Sequence, residues 1–530
     1  MTQWFYERNR ELIESSVNKT FDELLWMTKD EFRQWVIDLR QEVVRLWDDK
    51  NQPPRVGFDK SEIVEQFQTL EGCIVQQYEG VDEYTGERNL FRPTTNLGNA
   101  VNQFFPTMMK TKINYSKDPA LGKSIYDYFA RPDLLENFLI YATRHFKRDS
   151  FYNYSRSVHA SDPDEFRQVP LPIAATASEW ISKFECDNYR KRTGWDYWLA
   201  PEKDEGYTGY NEELKATKNL RLTRAEIVNL RLQGIIPDNS TTNVDWEKSE
   251  IYGLRVFEMG QKVFPLGLKC FRVSFCQYAV NFPPVVAKYV YERYTETWKA
   301  EPNIFVWDPS AGWAGRLLGA LAVEDSRHLT YLGNDPNTDH NTTPGRTKYH
   351  EVADFYRQHV HKGGMWAIEH NGFEFWQKGS EEMQFDPDFQ QYKGKISLVF
   401  TSPPYFAKEA YSEDKEQSYL KFAQYESWRD GFLKETLRTA VEWLRPGGYL
   451  VWNIANAEFG GVTLPLETDS REYLDALGMQ YIETIKMALA QMPGSHRVHE
   501  DTGLPKTKNF CKENGLWLKY EPLFVYRKSA

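Results

Sequence analysis

Ser402-Pro403-Pro404-Tyr405 follows directly on the apolar run Ile396 to Phe400. The two prolines fix φ at neighbouring positions and stiffen the loop. Two hydrogen-bond acceptors, the Ser402 hydroxyl and the Pro403 carbonyl, are thereby held in place before any ligand arrives. Tyr405, and after it Phe406, offer aromatic faces beside them. A flat ring bearing an amino group matches this set. Its amine is a poor nucleophile because the lone pair is delocalised into the ring. Acceptors that take hydrogen bonds from the NH2 group draw the nitrogen towards tetrahedral geometry and free the pair. An extruded nucleic-acid base is such a ring, and pocket contacts would offset the few kcal/mol that flipping costs. The chain has no Pro-Cys pair, which argues against attack on a ring carbon. A double proline alone also occurs in plain rigid turns, so the weight rests on what accompanies it.

What accompanies it begins at Asp308. The run Asp308-Pro309-Ser310-Ala311-Gly312-Trp313-Ala314-Gly315-Arg316 follows a short apolar strand, Ile304 to Trp307, and opens a helix at Arg316 to Val323. Small residues there admit a ligand close to the backbone. A cationic sulfonium ligand wants a carboxylate nearby, and Asp308 stands at the strand end. Pro309, Ser310 and Gly312 complete the expected binding loop. The next strand, Leu329 to Leu332, ends at Gly333-Asn334-Asp335. An acid about 20 residues after such a loop hydrogen-bonds ribose hydroxyls in dinucleotide-type folds. A third acid is expected after the third strand, Gly372 to Trp376. Glu381 is the first candidate for it, with Glu374 and Glu382 beside it. A nicotinamide dinucleotide is the rival ligand, but the chain has no GxGxxG. A plain tight turn is the rival reading of the loop, and Asp335 with Ser402 to Tyr405 in order weighs against it.

These residues must be placed by alternating strands and helices. Ile396 to Phe400 is the fourth strand, Trp428 to Leu444 a helix stopped by Arg445-Pro446-Gly447-Gly448, and Tyr449 to Ile454 the fifth strand. Strand, helix, strand at this spacing predicts an α/β fold with a doubly wound parallel sheet. Ligands bind such sheets at the carboxyl ends of the strands, where both motifs fall.

With those residues in view, the chain resembles the amino-group DNA methyltransferases that use S-adenosylmethionine, over residues 280 to 528. Asp308 to Arg316 resembles the family's cofactor loop, Asp-Pro-x-x-Gly-x-Gly, with Ser310 in place of its aromatic and Ala314 in place of its second glycine. Asp335 resembles the ribose-binding acid, and Ser402 to Tyr405 match the catalytic motif residue by residue. Arg445 to Tyr449 resembles the turn before the fifth strand, and Lys519 to Tyr526 the closing strand. Asn281-Phe282-Pro283-Pro284 to Tyr294 resembles the helix that covers the methionine part of the cofactor. The resemblance implies a Rossmann-like S-adenosylmethionine-dependent methyltransferase domain, with Ser402, Pro403, Pro404 and Tyr405 catalytic and Phe406 a further wall for the base. It implies double-stranded DNA as substrate and leaves open a separate restriction endonuclease as partner. Serine at the first motif position is commoner among the cytosine-N4 enzymes, so N4 is favoured narrowly over adenine N6. A glutamine methyltransferase acting on protein, which uses a related loop with Asn first, and a DNA-binding protein with a degenerate methyltransferase fold are the readings from other classes.

A length of 530 residues calls for at least two domains. The expected division is residues 1–279, a helical and irregular region for target recognition, and 280–530, the catalytic domain. Thr28-Lys29-Asp30-Glu31 has capping-box form, and Phe32, Trp35, Val36, Leu39, Val43 and Leu46 follow at helical spacing. Further helices are predicted from Arg131-Pro132-Asp133 and over Thr223 to Leu232, with loops and turns from Tyr84 to Asn99. A net charge of −11 argues against a surface covered in nonspecific DNA contacts but leaves room for a local basic cleft. Arg190 and Arg192, flanked by Tyr189 and Trp195, are one candidate DNA contact. Lys506 and Lys508, in the loop Met492 to Lys512, are another. For both, an ordinary charged surface is as good an account. Five scattered cysteines give no zinc or disulfide framework and fit a reducing compartment. Neither a signal sequence nor a long apolar run is present, so the expectation is a soluble cytoplasmic protein with no metal.

Overall fold

In the computed structural model of the chain, all six residues of Ile396–Thr401 are buried, as a strand covered on both faces of a parallel sheet requires. The structure describes residues 10–19, 29–50, 58–93, 97–113, 123–131, 219–223, 244–245, 250–253, 279–324, 327–360, 371–459, 461–489, 498–499, 501–506 and 508–530. Contacts divide the chain into two units. One joins Met1–Glu7, Gly57–Ile125 and Tyr278–Ala530; the other joins Arg8–Val56 and Tyr126–Gln277. One cut falls at Gln277/Tyr278, beside the expected boundary, but Gly57–Ile125 belongs with the unit that carries the motifs.

That unit is built on a ten-stranded sheet. Its strands are β1 (Glu79–Asp82), β2 (Glu87–Phe91), β3 (Ile304–Asp308), β4 (Leu329–Asn334), β5 (Gly372–Trp376), β6 (Ile396–Thr401), β7 (Leu444–Asn453), β8 (Gln480–Ala488), β9 (Phe510–Glu513) and β10 (Leu516–Arg527). The spatial order is β1-β2-β8-β10-β7-β6-β3-β4-β5, with β9 paired to β10. Strands β3 to β7 pair parallel with one another, and β10 lies antiparallel between β7 and β8. The strand order reverses between β3 and β6, the switch point at which open α/β sheets bind ligands.

Period-two alternation sorts the strand residues onto two cores. Val306, Tyr331, Leu398, Phe400 and Val451 face one core; Trp307, Leu332, Val399, Leu450 and Trp452 face the other. The first is covered by α1 (Lys60–Glu71), α2 (Pro284–Thr295), α3 (Gly315–Leu321) and α4 (Lys348–His359), and the second by α5 (Lys434–Trp443) and α6 (Leu466–Ala476). Helices on both faces make the sheet doubly wound and Rossmann-like, the class expected from the sequence. Segment 58–113 supplies Ile63, Phe67, Leu70 and Phe104 to the first core. Lys288 on α2 ties it down by donating to the Leu70 and Cys73 carbonyls, each at 3.0 Å, just where α1 ends.

Three expectations need correction. Glu87–Phe91, read as loop, is strand β2. Its sequence, ERNLF, carries no apolar run, and it becomes a strand by pairing parallel with β8 at Lys486↔Leu90 and Met487↔Phe91. The hairpin is pinned by Lys486, which donates to the fully buried Asp82 at 2.6 Å. The helix predicted over Trp428 to Leu444 runs on from Tyr425–Trp428 through a π turn over Arg429–Leu433 into α5, with helical backbone at both junctions. Gly431 in the wide turn is where Phe422 packs, and a Cβ there would lie 2.4 Å from that ring. Arg445 to Gly448 sits inside β7 as a register shift between Ile396↔Leu444 and Leu398↔Tyr449, so the strand begins earlier than the apolar pattern suggested.

In the other unit, helix Lys29–Lys50 buries Trp35, Val36, Leu39, Val43 and Leu46, the residues that predicted it. Trp35 Nε1 donates to the Val17 carbonyl at 2.7 Å, and Tyr126 donates to Asp48 at 3.0 Å. Asn219–Thr223, Glu250–Gly253 and Val244–Asp245 form a small antiparallel sheet in that order. Thr223, expected to open a helix, instead closes a strand. The rest of that predicted helix, and the one after Arg131, lie outside the described residues. Among the described residues no helix is long and apolar enough to cross a membrane.

Candidate active site

Asp308 ends β3 with no solvent exposure. Its carboxylate accepts from Arg316 Nε at 2.8 Å, Tyr331 OH at 2.7 Å, Thr401 Oγ1 at 2.7 Å and the Ser310 amide at 3.3 Å. Four donors exhaust the acceptor sites of a carboxylate. Asp308 is therefore the hub that joins the end of β3 to β4, to α3 and to β6. Arg316, to which sequence reasoning gave no role, closes the loop by donating to the Ser310 carbonyl as well. Because Thr401 immediately precedes Ser402, this hub also couples the two motifs directly.

The loop after Asp308 is shaped by backbone constraints. Gly312 has φ +57, and Ala314, at the start of α3, has φ +60 and ψ 16. The left-handed region costs a residue with a Cβ about 1 kcal/mol. Ala314→Gly is therefore expected to raise stability by up to about that amount, read as a shift in the denaturation midpoint. Gly315 has no such freedom to lose in reverse, since a Cβ there would lie 2.1 Å from the Phe282 carbonyl oxygen. Asn281 Nδ2 donates to the Trp313 carbonyl at 2.8 Å, so the segment preceding α2 props the loop from below.

Asp335 is half-buried beyond β4. It accepts from the Gly312 amide at 2.9 Å and the Asn337 amide at 3.0 Å. Burial pushes its carboxyl up to about 6, against those two amides. Beside it, Asn334 latches three loops: it accepts from Trp307 Nε1 and donates to the Pro309 and Lys378 carbonyls. Nothing but its place at a strand end marks Asn334 in the sequence. Glu381 is 7% exposed, in the 3-10 turn Ser380–Phe385. Lys421 pairs with it at 3.0 Å, but neither carboxylate oxygen receives a hydrogen bond of good geometry. Of its two alternatives, Glu374 accepts from Tyr392 OH at 2.6 Å, and Glu382 pairs with Lys421.

The Ser402–Tyr405 loop leaves the end of β6. Ser402, Pro404 and Tyr405 are half-buried and Pro403 is buried. Burial drives the Tyr405 phenol well above its ordinary range; Glu521 and Glu409 add to the rise, while the Ala455 backbone and the Ser402 hydroxyl oppose it. Phe406, expected as a second wall for a base, is 4% exposed and at φ +56. Its ring lies 5.8 Å from those of Tyr425 and Trp428, so it anchors the loop in the core instead.

The segment that follows arches back over the cofactor loop, an arrangement with no counterpart in the sequence pattern. Glu409–Ala410 pairs with Lys112–Ile113, the Tyr411 ring stands 5.6 Å from that of Trp313, and Thr338 Oγ1 donates to Asp414 at 2.6 Å. The Gly312–Asp335 junction and the Ser402–Tyr405 loop are thus bridged by one strap. Near them Asp335 is held by two backbone amides, and Glu409 lies close enough to Lys408 to feel its charge. Lys506 and Lys508 are exposed, and Lys508 lies 3.9 Å from Glu458. Arg190 and Arg192 lie outside the described residues. Among the described residues no cluster of His, Cys, Asp or Glu could hold a metal ion.

Residues 396–530 match the family model N6_N4_Mtase, described as DNA methylase. The match includes Ser402 to Tyr405; Asp308 and Asp335 lie upstream of it. No curated protein matches. Among solved structures, a candidate DNA modification methylase of Thermus thermophilus is 21% identical over 29% of this chain and 51% of its own, with a TM-score of 0.18. The same protein complexed with S-adenosyl-L-methionine is 22% identical over 29% and 54%, with a TM-score of 0.18. A class I S-adenosylmethionine-dependent methyltransferase candidate of Listeria monocytogenes is 13% identical over 74% of this chain and 88% of its own, with a TM-score of 0.26. The chain spans about half the length of the Thermus thermophilus protein. The motif Ser402 to Tyr405 thus falls within a segment, Ile396 to Ala530, that matches the DNA methylase family model of N6/N4 type.

Proposed function

We propose that the chain transfers a methyl group from S-adenosylmethionine to the exocyclic amine of a base flipped out of double-stranded DNA, cytosine N4 ahead of adenine N6. The observation that carries this reading is the Thr401–Asp308 hydrogen bond of 2.7 Å. It ties the amine-accepting loop to the cofactor loop at the switch point of the sheet. The residues fit the cofactor: the buried Glu381 carboxylate, paired to Lys421, and the Asp335 carboxylate on the Gly312 amide are acceptors for its polar groups. When bound, S-adenosylmethionine supplies an electrophilic methyl group on a cationic sulfur.

The chain's own residues do the rest. Asp335 and Glu381 accept hydrogen bonds from cofactor hydroxyl and amino groups, and the Gly312 backbone lets the ligand come close. Ser402 Oγ and the Pro403 carbonyl accept from the target NH2, and the Tyr405 ring stacks on the base. Serine as first residue of the motif is what favours cytosine. The other unit, with Arg190 and Arg192, and the lysines Lys506 and Lys508 are proposed DNA contacts, and a restriction endonuclease acting on the same site is a proposed partner.

The Asp335 carboxyl, held near 6, gives the cofactor step a pH signature. Hydroxyl donors prefer the ionised carboxylate. Affinity for S-adenosylmethionine is therefore expected to be weak while Asp335 is protonated, to rise as pH climbs through about 6, and to level off above it. Asp335→Asn should flatten that dependence, and Asp335→Ala should weaken binding by about 10- to 100-fold at neutral pH. Calorimetric titration from about pH 5 to about pH 8 reads both effects. Unchanged affinity in Asp335→Ala would remove Asp335 from the site.

A further inference from the structure

Transfer to an exocyclic amine leaves a proton to be disposed of. As the nitrogen lone pair forms the N–CH3 bond, the C–S bonding pair returns to sulfur, and the nitrogen must shed one N–H proton to recover neutrality. Ser402 and the Pro403 carbonyl can orient that amine, but neither retains a proton at neutral pH. A carboxylate that opens on the same loop is needed, unless water takes the proton.

Glu521 meets this description. It lies on β10 immediately before Pro522, whose carbonyl accepts from Asn453 Nδ2 at 3.0 Å, so the strand is clamped to the end of β7 at this point. The β7–β10 register runs Trp452↔Phe524 and Asn453↔Leu523. Carried two residues further, it sets Ala455 abreast of Glu521. Ala455 is the residue whose backbone stands at the Tyr405 phenol, and Glu521 and Glu409 are the two carboxylates whose charge that phenol feels. Glu409 is already engaged, accepting from Tyr411 OH. Glu521 is half-buried, and no hydrogen bond to its carboxylate is made by any described residue. A half-buried carboxylate held without a donor costs desolvation and gains nothing for the fold. Such a group is found where a ligand completes it.

We propose that Glu521 is a further catalytic residue, the acceptor of the proton released from the target amine. This rests on the methyltransferase reading above. The charged and titratable groups that face it are Glu409, Lys408, Lys519 and Tyr405. Burial, and then Glu409, raise the affinity of Glu521 for a proton, while Lys519 and Lys408 oppose them. A raised carboxyl is a better base than an exposed one. Methyl transfer should therefore fall on the acid side as Glu521 becomes protonated.

The test is single-turnover methylation of unmodified duplex DNA, with S-adenosylmethionine saturating, followed across pH for the wild type, Glu521→Gln and Glu521→Asp. Glu521→Gln is expected to lose about 100-fold or more in the single-turnover rate and to lose the acid limb of its pH profile. Cofactor affinity in the same protein should stay at the wild-type value. Glu521→Asp, which keeps a carboxylate, should retain the acid limb with a shifted midpoint. Wild-type rate and an unaltered acid limb in Glu521→Gln would overturn the assignment while leaving the methyltransferase reading intact. So would a rate loss in which Glu521→Gln keeps the acid limb, or in which Glu521→Asp lacks it, since a structural role predicts those. A wild-type chain that methylates no DNA would overturn the reading itself and this inference with it.

Discussion

Replacing Ser402 by alanine is expected to slow methyl transfer by about 100- to 1,000-fold, the usual cost of removing one preorganised hydrogen-bonding group from the reacting centre. Affinity for S-adenosylmethionine should not change, because the proposed cofactor contacts are Gly312, Asp335 and Glu381. The loss arises at the nitrogen. Without Ser402 Oγ the target amine keeps one acceptor, the Pro403 carbonyl, and its lone pair stays in the ring for longer. The loop itself should survive, since Pro403 is buried and Phe406 is anchored against Tyr425 and Trp428. Single-turnover rates beside cofactor titrations separate the two effects. Full activity in Ser402→Ala would remove Ser402 from the reaction and leave the loop as a rigid turn.

Asp308→Ala should have the largest effect on the fold itself. It leaves the Arg316 guanidinium, whose side chain is 5% exposed, without its carboxylate. It also strips Tyr331 and Thr401 of their acceptor. Removing one partner of a buried pair costs about 3–5 kcal/mol, a large part of the 5–15 kcal/mol or so that holds a typical domain together. Chemical denaturation reads it as a lower midpoint, with cofactor binding lost in parallel as the loop slackens. Asp308→Asn keeps an oxygen for Thr401 and Tyr331 but not the charge, and should fall between. A change below about 1 kcal/mol in Asp308→Ala would contradict the hub, because an exposed ion pair is worth that much.

Asp308 was legible in the sequence as a strand-end acid beside a glycine loop, but its four partners come from β4, β6, α3 and the loop itself, and spacing alone cannot bring those together. Strands β3, β4 and β6 and the second half of β7 were legible because their apolar runs are short, largely unbroken and bounded by turn residues. Strand β2 was not, because ERNLF owes its strand form to pairing with β1 and with the β8 edge rather than to its own pattern. The strap from Glu409 to Asp414 was equally hidden. Its contacts with Lys112–Ile113, Trp313 and Thr338 join segments far apart in sequence, and its residues carry no periodicity. Phe406 illustrates the opposite error. An aromatic beside the motif suggested a base wall, but a residue at φ +56 turns its side chain away from the direction of its neighbours, here into the core.

The central claim is that the Ser402–Tyr405 loop presents a base amine to a methyl donor held at Gly312 and Asp335. Incubation of the chain with S-adenosylmethionine carrying a labelled methyl group and with unmodified duplex DNA, followed by digestion to nucleosides and mass spectrometry, tests it most directly. The expected product is labelled N4-methylcytosine; labelled N6-methyladenine would keep the mechanism and reassign the base. Binding of the cofactor without any labelled nucleoside, across DNA of varied sequence, would contradict the claim.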